Sequence, residues 1–420
     1  MSASLQRGIN VLKEMIDAPV ASFFSSCVHC GLCAEACLFY TETGDPKYTP
    51  IHKLEPLRRV YSQEYTLLGR VGKMLGLSKA LTDDELETWS ELVYDSCTMC
   101  GRCSLVCPVG NDIVYMVRKL REGMAVSGHA PKDLRATTRR TIEIGSPMGV
   151  KWPAVQHVIQ RQETETGLKI PVDQQGAEIM VLLSSMEVIN YPEYLGALAK
   201  IFHKTGTRWT LSSKAIEATN AGIQIGASDL AREIVARIVT AAEGLGVKKV
   251  LSPECGHAYM ALRWEGPNLM GRPFKFEVVH VLELLDEWRR AGKLKVKDKF
   301  KTPVTLHDPC QIVRRGGVLE APELLLEQVV SEYRPMTDPN KWNWCCGGGG
   351  GTSAIHEPDA EQLRFKAFQV KKRQIEETGV DTVVTFCANC RIVIEEAFDH
   401  YGMNTKLLGL TELLAQHLED

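Results

Sequence analysis

The sequence predicts an α+α/β chain: a helical N-terminal domain over 1–145, then two α/β repeats over 146–295 and 296–420. Three observations predict it. Apolar residues recur at three- and four-residue steps through HKLEPLRRVYSQEYTLLGRVGKML (52–75) and DDELETWSELVYDS (83–96). After Gly145, Pro147 and Pro153, short β-branched runs alternate with amphipathic helical stretches. An ungapped shift sets WTLSS (209–213) against WNWCC (342–346), and VLSPECGH (250–257) against VVTFCANC (383–390), the sign of a tandem repeat.

A chain of 420 residues can bury two or three cores. The formal net charge of -3 gives no polycationic signature, so nucleic acid is not expected as a partner. No apolar run is long enough to span a bilayer. The N-terminal MSASLQRGINVLKEM has no apolar core of a secretory signal. A cytoplasmic protein is expected, with peripheral docking on the cytoplasmic face of the membrane left open. Of 14 cysteines, all but Cys255 fall into tight groups. In a reducing compartment such grouping reads as metal ligation or redox chemistry, not as a disulfide scaffold.

Two runs of C-x2-C-x2-C-x3-C occupy the helical third. The first is CVHCGLCAEAC, with Cys27, Cys30, Cys33 and Cys37; the second is CTMCGRCSLVC, with Cys97, Cys100, Cys103 and Cys107, then Pro108. Three thiolates at this spacing wrap one corner of an iron–sulfur cubane, while the fourth, opening the next helix, ligates the other cluster. One cubane [4Fe–4S] cluster is therefore expected on Cys27, Cys30, Cys33 and Cys107, the other on Cys97, Cys100, Cys103 and Cys37. Zinc usually takes separated C-x2-C pairs, which these runs are not. The first run has Leu38 where proline usually follows. The intervening stretch reads helical, so the domain is expected to be an α-helical ferredoxin domain. Asn111 or Asp112 is placed to cap a helix over IVYMVRKLREGMAVSG. His29, inside the first loop, is read as tuning or shielding its cluster.

In the α/β part, EIMVLLSS, KKVLSP, KFEVVHV, TPVTLHD and DTVVTF read as strands. Helices are expected over DLAREIVARIVTAAEGLG, APELLLEQVVSEY and DAEQLRFKAFQVKKRQIEETG. Five cysteines sit at strand ends or in a glycine-rich loop: Cys310, Cys345 and Cys346 in CCGGGGG, and Cys387 and Cys390 in CANC. Strand ends are where α/β folds present ligands. Adjacent Cys345 and Cys346 cannot comfortably chelate one metal but can bridge different irons of a larger cluster. The glycines 347–351 permit close backbone approach to it. They lack the context of a dinucleotide fingerprint, and no flavin site is evident.

At these cysteines the chain resembles the cysteine-rich CCG domain of heterodisulfide reductases, and in layout the fused HdrD and DsrK group. The resemblance implies two CCG-type (HdrB-like) α/β repeats behind the ferredoxin domain. It also implies a noncubane [4Fe–4S] cluster on Cys310, Cys345, Cys346, Cys387 and Cys390. The segment WTLSSKAIEATNAGIQIG looks like the DsrK relatives.

The repeat shift sets Ser212 and Ser213 where Cys345 and Cys346 stand, and Glu254 and His257 where Cys387 and Cys390 stand. Serine is a poor iron ligand, so the first repeat is expected to be degenerate and without a cluster. Ser212, Ser213, Glu254, Cys255 and His257 are either vestigial or form a pocket facing the surviving cluster. In the second case His257 or Glu254 serves as proton donor and Cys255 as a thiol. His307 and Asp308 are placed to donate hydrogen bonds to cluster sulfur. Arg314 and Arg315 either neutralise an anion or face solvent.

The function expected is electron transfer joined to oxidoreduction of a disulfide or thiol pair, small-molecule or protein-bound. Electrons pass between the cubanes and the noncubane cluster. A redox partner is required: a flavoprotein, a further iron–sulfur subunit or a membrane cytochrome b-type subunit. CCG domains also occur in iron–sulfur subunits of flavin-dependent 2-hydroxy acid and glycerol-3-phosphate dehydrogenases. The alternative is therefore a wire whose flavin partner does the chemistry.

Overall fold

Leu5, Gly8 and Leu12 line the buried face of the first helix, Ala3–Met15. That face packs on helix Ile113–Ser127 through glycine: a Cβ on Gly8 would lie 2.7 Å from the Gly123 carbonyl oxygen. The computed structural model describes residues 2–419 and divides them into two units. The first runs to Ala136 and takes in two remote segments, Ala221–Ser228 and Gly347–Val370. The second holds Thr137–Asn220, Asp229–Cys346 and the chain from Lys371 onward.

The first unit is helical. The periodic stretch 52–75 breaks into helices Glu55–Tyr65 and Leu67–Met74, where the sequence reads as continuous. Thr66 is the cause. Its backbone is extended, and its hydroxyl accepts the Gly69 N–H at 3.1 Å and donates to the Ser62 carbonyl. Helix Asp83–Ser90 opens with a Thr82/Glu85 capping box and runs on as a π turn, Glu91–Asp95. Asp112 caps helix Ile113–Ser127 by accepting the Tyr115 N–H, and Gly128 ends it at a φ of 90°.

The second unit is α/β with two small parallel sheets. Strands β1 (Ile179–Val181), β2 (Trp209–Thr210), β3 (Lys249–Ser252) and β4 (Glu277–His280) form the first, ordered β2-β1-β3-β4. Strands β5 (Thr305–Leu306), β6 (Thr382–Thr385) and β7 (Lys406–Gly409) form the second, ordered β5-β6-β7. A bridge from Val304 to Tyr333 extends its β5 edge. Strands β1, β2 and β6 are buried throughout, as parallel strands covered on both faces are. The expected strands in 178–185, 248–253, 275–281, 302–308 and 381–386 are present; β2 and β7 were not expected. Helices Ser228–Leu245, Ala321–Val329 and Pro358–Thr378 match the expected segments. Among the described residues no helix is long and apolar enough to cross a membrane.

Candidate metal centres

The two cysteine runs of the first unit share one backbone conformation. His29 and Met99 both hold a φ of 53°, and Gly31 and Gly101 follow at 83° and 78°. A non-glycine residue held there costs on the order of 1 kcal/mol and persists only where its surroundings fix it. Such turns aim successive amide N–H groups to one side, which suits an anion. At His29, then, the structure shows a backbone role.

The eight thiols separate three plus one. Cys27, Cys30, Cys33 and Cys107 line one cavity; Cys37, Cys97, Cys100 and Cys103 line another. The last cysteine of each motif thus faces the other motif's cavity. All are free of disulfides. Burial pushes the Cys33 and Cys37 thiols up and Cys103 well up, a cost that bonding to a soft cation removes. Four convergent thiols with loop amides fit a [4Fe–4S] cluster in each cavity.

The cavities differ in surroundings. Cys30 is exposed beside exposed Val28 and Val109. Around the second cavity two cations are buried. Lys53 donates to the Ser96 carbonyl and lies 5.2 Å from the Phe39 ring centroid. Arg121 is fully buried and stacks 4.4 Å from the Tyr94 centroid. Its guanidinium donates to the carbonyls of Val93 (2.8 Å), Cys97 (2.9 Å), Gln224 (2.6 Å) and Gly350 (2.6 Å). Arg121 makes no ion pair among the described residues, and the charge that most supports its cationic form is that of Cys97. Gly350 must be glycine: its φ is 64°, and a Cβ would lie 2.7 Å from the Cys97 oxygen. The glycine run therefore makes a close approach to the Cys97–Thr98 loop.

In the second unit Cys310, Cys345, Cys346, Cys387 and Cys390 are all buried. The Sγ atoms of Cys310 and Cys345 lie 3.7 Å apart, those of Cys346 and Cys390 3.2 Å apart. Cys387 caps helix Ala388–Tyr401. The Cys390 thiol and the amides of Gly256, Cys390 and Asn389 hold Cys387 down at about 7. Cys390 is pushed well up by its bonds to Cys346 and Cys387. Ligand atoms of His307, Cys346 and Cys390 all lie within 4.8 Å of one another.

A hydrogen-bonded chain sets the tautomer of His307. Lys371, fully buried, donates to Asn343 Oδ1 at 2.5 Å and to Gln374 at 2.6 Å. That fixes the Asn343 amide, whose Nδ2 donates to the Asp308 carbonyl at 2.9 Å and meets His307 Nδ1 at 3.4 Å. With Nδ1 accepting, the proton sits on Nε2, which is buried without a protein partner among the described residues. Burial, with Lys371 and Arg314 nearby, keeps the ring neutral. His307 thus offers an N–H towards the thiols, while burial raises the Asp308 carboxyl to about 6. An orphaned buried donor beside five convergent thiols fits a sulfur-rich cluster.

The other expected residues are placed as follows. Glu254 is buried, accepts from the Thr411 hydroxyl and, through its carbonyl, from the Ala388 N–H at 2.7 Å. Burial and then Glu412 push its carboxyl well up. Glu187, buried too, is pushed well up by burial. Arg391 pairs with Glu412. Cys255 is buried 3.5 Å from the Thr219 hydroxyl, and burial raises its thiol. His257 is half-buried in the short helix Gly256–Tyr259. Ser212 and Ser213 form a turn at the end of β2, where Ser213 bonds Asp173 through its N–H (3.0 Å) and hydroxyl (2.5 Å). Arg314 donates to the carbonyls of Lys341 (2.6 Å) and Asn343, clamping that loop; Arg315 is half-exposed. Sequence reasoning missed Asn343, Lys371, Arg121 and the Glu187–Glu412–Arg391 group. The lysine and arginine among them sit in helical stretches that read as solvated.

Comparison with known proteins follows the same division. Residues 304–395 match the cysteine-rich domain model and residues 24–111 the 4Fe-4S dicluster domain model. An Hdr-like menaquinol oxidoreductase iron-sulfur subunit 2 of Archaeoglobus fulgidus is 26% identical over 94% of this chain and 80% of its own length. The HdrD-type polypeptide of the dihydromethanophenazine:CoB--CoM heterodisulfide reductase of Methanosarcina barkeri is 24% identical over 94% and 93%. An EtfAB:quinone oxidoreductase of Syntrophomonas wolfei is 23% identical over 97% of this chain and 59% of its own length. With both domain types on one polypeptide and this full-length likeness, the chain is a heterodisulfide reductase-like CCG-domain iron–sulfur protein of the HdrD type, an electron-transfer oxidoreductase subunit.

Proposed function

We propose that this chain passes electrons between a redox partner and a disulfide or dithiol, RSSR + 2e⁻ + 2H⁺ ⇌ 2RSH, at the five-cysteine site. The observation that carries the reading is the buried thiol set, with Cys346 and Cys390 3.2 Å apart and the His307 N–H facing them. A noncubane [4Fe–4S] cluster on Cys310, Cys345, Cys346, Cys387 and Cys390 would supply one-electron steps at sulfur. Two cubanes, on Cys27, Cys30, Cys33 and Cys107 and on Cys97, Cys100, Cys103 and Cys37, form the supply line.

The chain's own residues have separate tasks. His307 donates through Nε2, and Lys371 holds positive charge beneath the Asn343 relay. Glu254 and Glu187, kept protonated by burial, store protons within the same unit. Disulfide reduction consumes two protons, so such a store is useful. His257 and Cys255 are retained as lesser candidates for that task.

The two sheets are read as repeats, with boundaries near 146–295 and 296–420. Both run parallel in one order, since Tyr333-β5-β6-β7 parallels β2-β1-β3-β4. Cys255 caps its helix as Cys387 does. The chain leaves the second unit after Asn220 and again after Cys346. On that register Thr219 and Asn220, not Ser212 and Ser213, stand for Cys345 and Cys346. Glu217 accepts from Thr219 N–H (2.8 Å) and from Ser185, so hydrogen bonds fill the degenerate site and leave no thiolate set.

The partner is a flavoprotein, an iron–sulfur subunit or a membrane cytochrome b-type subunit, and the chain works on the cytoplasmic side, peripheral to the membrane. The likeness to an EtfAB:quinone oxidoreductase over 97% of this chain favours, as second reading, a wire serving a flavin partner. Electron paramagnetic resonance of the oxidised protein during titration with thiols and disulfides tests the first reading. A thiol-induced signal supports chemistry at this chain; silence beside normal cubane signals supports the wire.

A further inference from the structure

Leu67, Leu68, Val71, Met74, Leu75 and Leu77 are all exposed, Leu68 by 88% and Met74 and Leu77 by 79% each. Soluble proteins seldom present so many large apolar side chains in one stretch without a partner for them. The stretch is well built. Helix Leu67–Met74 buries none of its residues, yet it is folded back on helix Glu55–Tyr65. Thr66 caps the fold, and Gly69 lies so close that a Cβ would meet the Ser62 oxygen at 1.9 Å. A loose segment needs neither device.

Charge indicates the occupant. Between Thr66 and Thr82 the ionisable side chains are Arg70, Lys73 and Lys79, with no Asp or Glu. Glu64 is shared by Lys13 and Lys73, and Glu85 by Arg59 and Lys79, so two acids serve four bases. Arg70 donates to the Glu64 carbonyl and makes no ion pair among the described residues. A leucine-rich face rimmed by bases is the pattern of helices that lie in an anionic membrane surface.

We propose that the helical hairpin 55–77 docks this protein on anionic lipid, with Leu67, Leu68, Met74 and Leu77 entering the headgroup boundary and Arg70, Lys73 and Lys79 facing lipid phosphates. This deepens the peripheral placement proposed above and is independent of the sulfur chemistry, so the thiol titration stands whichever way the lipid test falls.

The test is co-sedimentation of the full, cluster-loaded chain with vesicles of phosphatidylcholine alone or with added phosphatidylglycerol. Size-exclusion light scattering is run alongside. The expected result is pelleting with phosphatidylglycerol vesicles, weakened by salt and reduced at least about tenfold in L68E/M74E. Both side chains point to solvent, so unchanged cluster absorbance in the variant shows an intact fold. No pelleting of the parent chain, or equal pelleting of the variant, overturns the proposal. A dimer that L68E/M74E converts to a monomer, without lipid binding, assigns the face to a second copy and also overturns it.

Discussion

Cys346 Sγ lies 3.2 Å from Cys390 Sγ, joining the CCG loop to the first turn of helix Ala388–Tyr401. Each pair of close thiols comes from two separate strand ends, so no single segment holds the set. Removing one thiol leaves the others unable to hold a cluster that bridges them. Cys346→Ser and Cys390→Ser should each lose about four iron atoms per chain and keep both cubane signals on reduction. Iron analysis with electron paramagnetic resonance checks this. Loss of all iron would instead mean that the two cysteine sets fold as one.

His307→Phe removes the N–H while keeping the ring's bulk. Iron content should hold, and the midpoint of the five-cysteine cluster should fall by on the order of 50 mV, the worth of about one net hydrogen bond in a one-electron couple. Lys371→Met should act in the same direction, because it unlocks Asn343 and removes a buried charge. A redox titration showing neither shift would remove the relay from the account.

Arg121 has four backbone acceptors and no carboxylate partner among the described residues. A buried cation of that kind is balanced by the anionic cluster site beside Cys97. Arg121→Met should lower the midpoint of the cluster on Cys37, Cys97, Cys100 and Cys103 and leave the other cubane unchanged. It also strands four carbonyls, so stability should drop by about 3 kcal/mol or more, read by denaturant unfolding. Arg121→Lys should restore most of the potential and less of the stability.

Glu187 supplies a pH dependence. Burial raises its folded pKa above the ordinary carboxylate value, so the folded state holds the extra proton. Stability from this group is complete at acid pH, below the unfolded pKa, and is lost as pH rises towards the folded pKa. Glu187→Gln keeps an acceptor for the Ser184 N–H, which now bonds Oε2 at 2.8 Å, and cannot ionise. Melting temperature should fall less with rising pH in the variant than in the parent chain. Parallel curves would show that Glu187 ionises freely.

Much of the site was legible in sequence because thiolate chemistry imposes spacing. The C-x2-C-x2-C-x3-C runs foretold the three-plus-one grouping that the two cavities display. The strand-end cysteines foretold a second grouping at the edges of parallel sheets. What was hidden depends on long-range packing. Lys371 lies in a helix rich in charge, and only the fold shows it buried against Asn343. Asn343 reads as a turn residue until its amide is seen bridging Lys371 and His307. Strands β2 and β7 are short and gain their hydrogen bonds from β1 and β6, so local pattern had little to show. The break at Thr66 was missed because apolar periodicity continues across it, while the cap needs one hydroxyl. The repeat register was displaced because WTLSS and WNWCC align by composition, whereas strand pairing sets Trp209 with Tyr333.

The central claim is that disulfide chemistry occurs at the five-cysteine site, with the cubanes as supply. It is met most directly by oxidised, cluster-loaded protein titrated with thiols and disulfides under electron paramagnetic resonance, in parent chain and Cys390→Ser. The account predicts a new paramagnetic signal in the parent, induced by a thiol and absent from Cys390→Ser, with cubane signals equal in both. A parent chain silent to every thiol, or a signal that persists in Cys390→Ser, would contradict it.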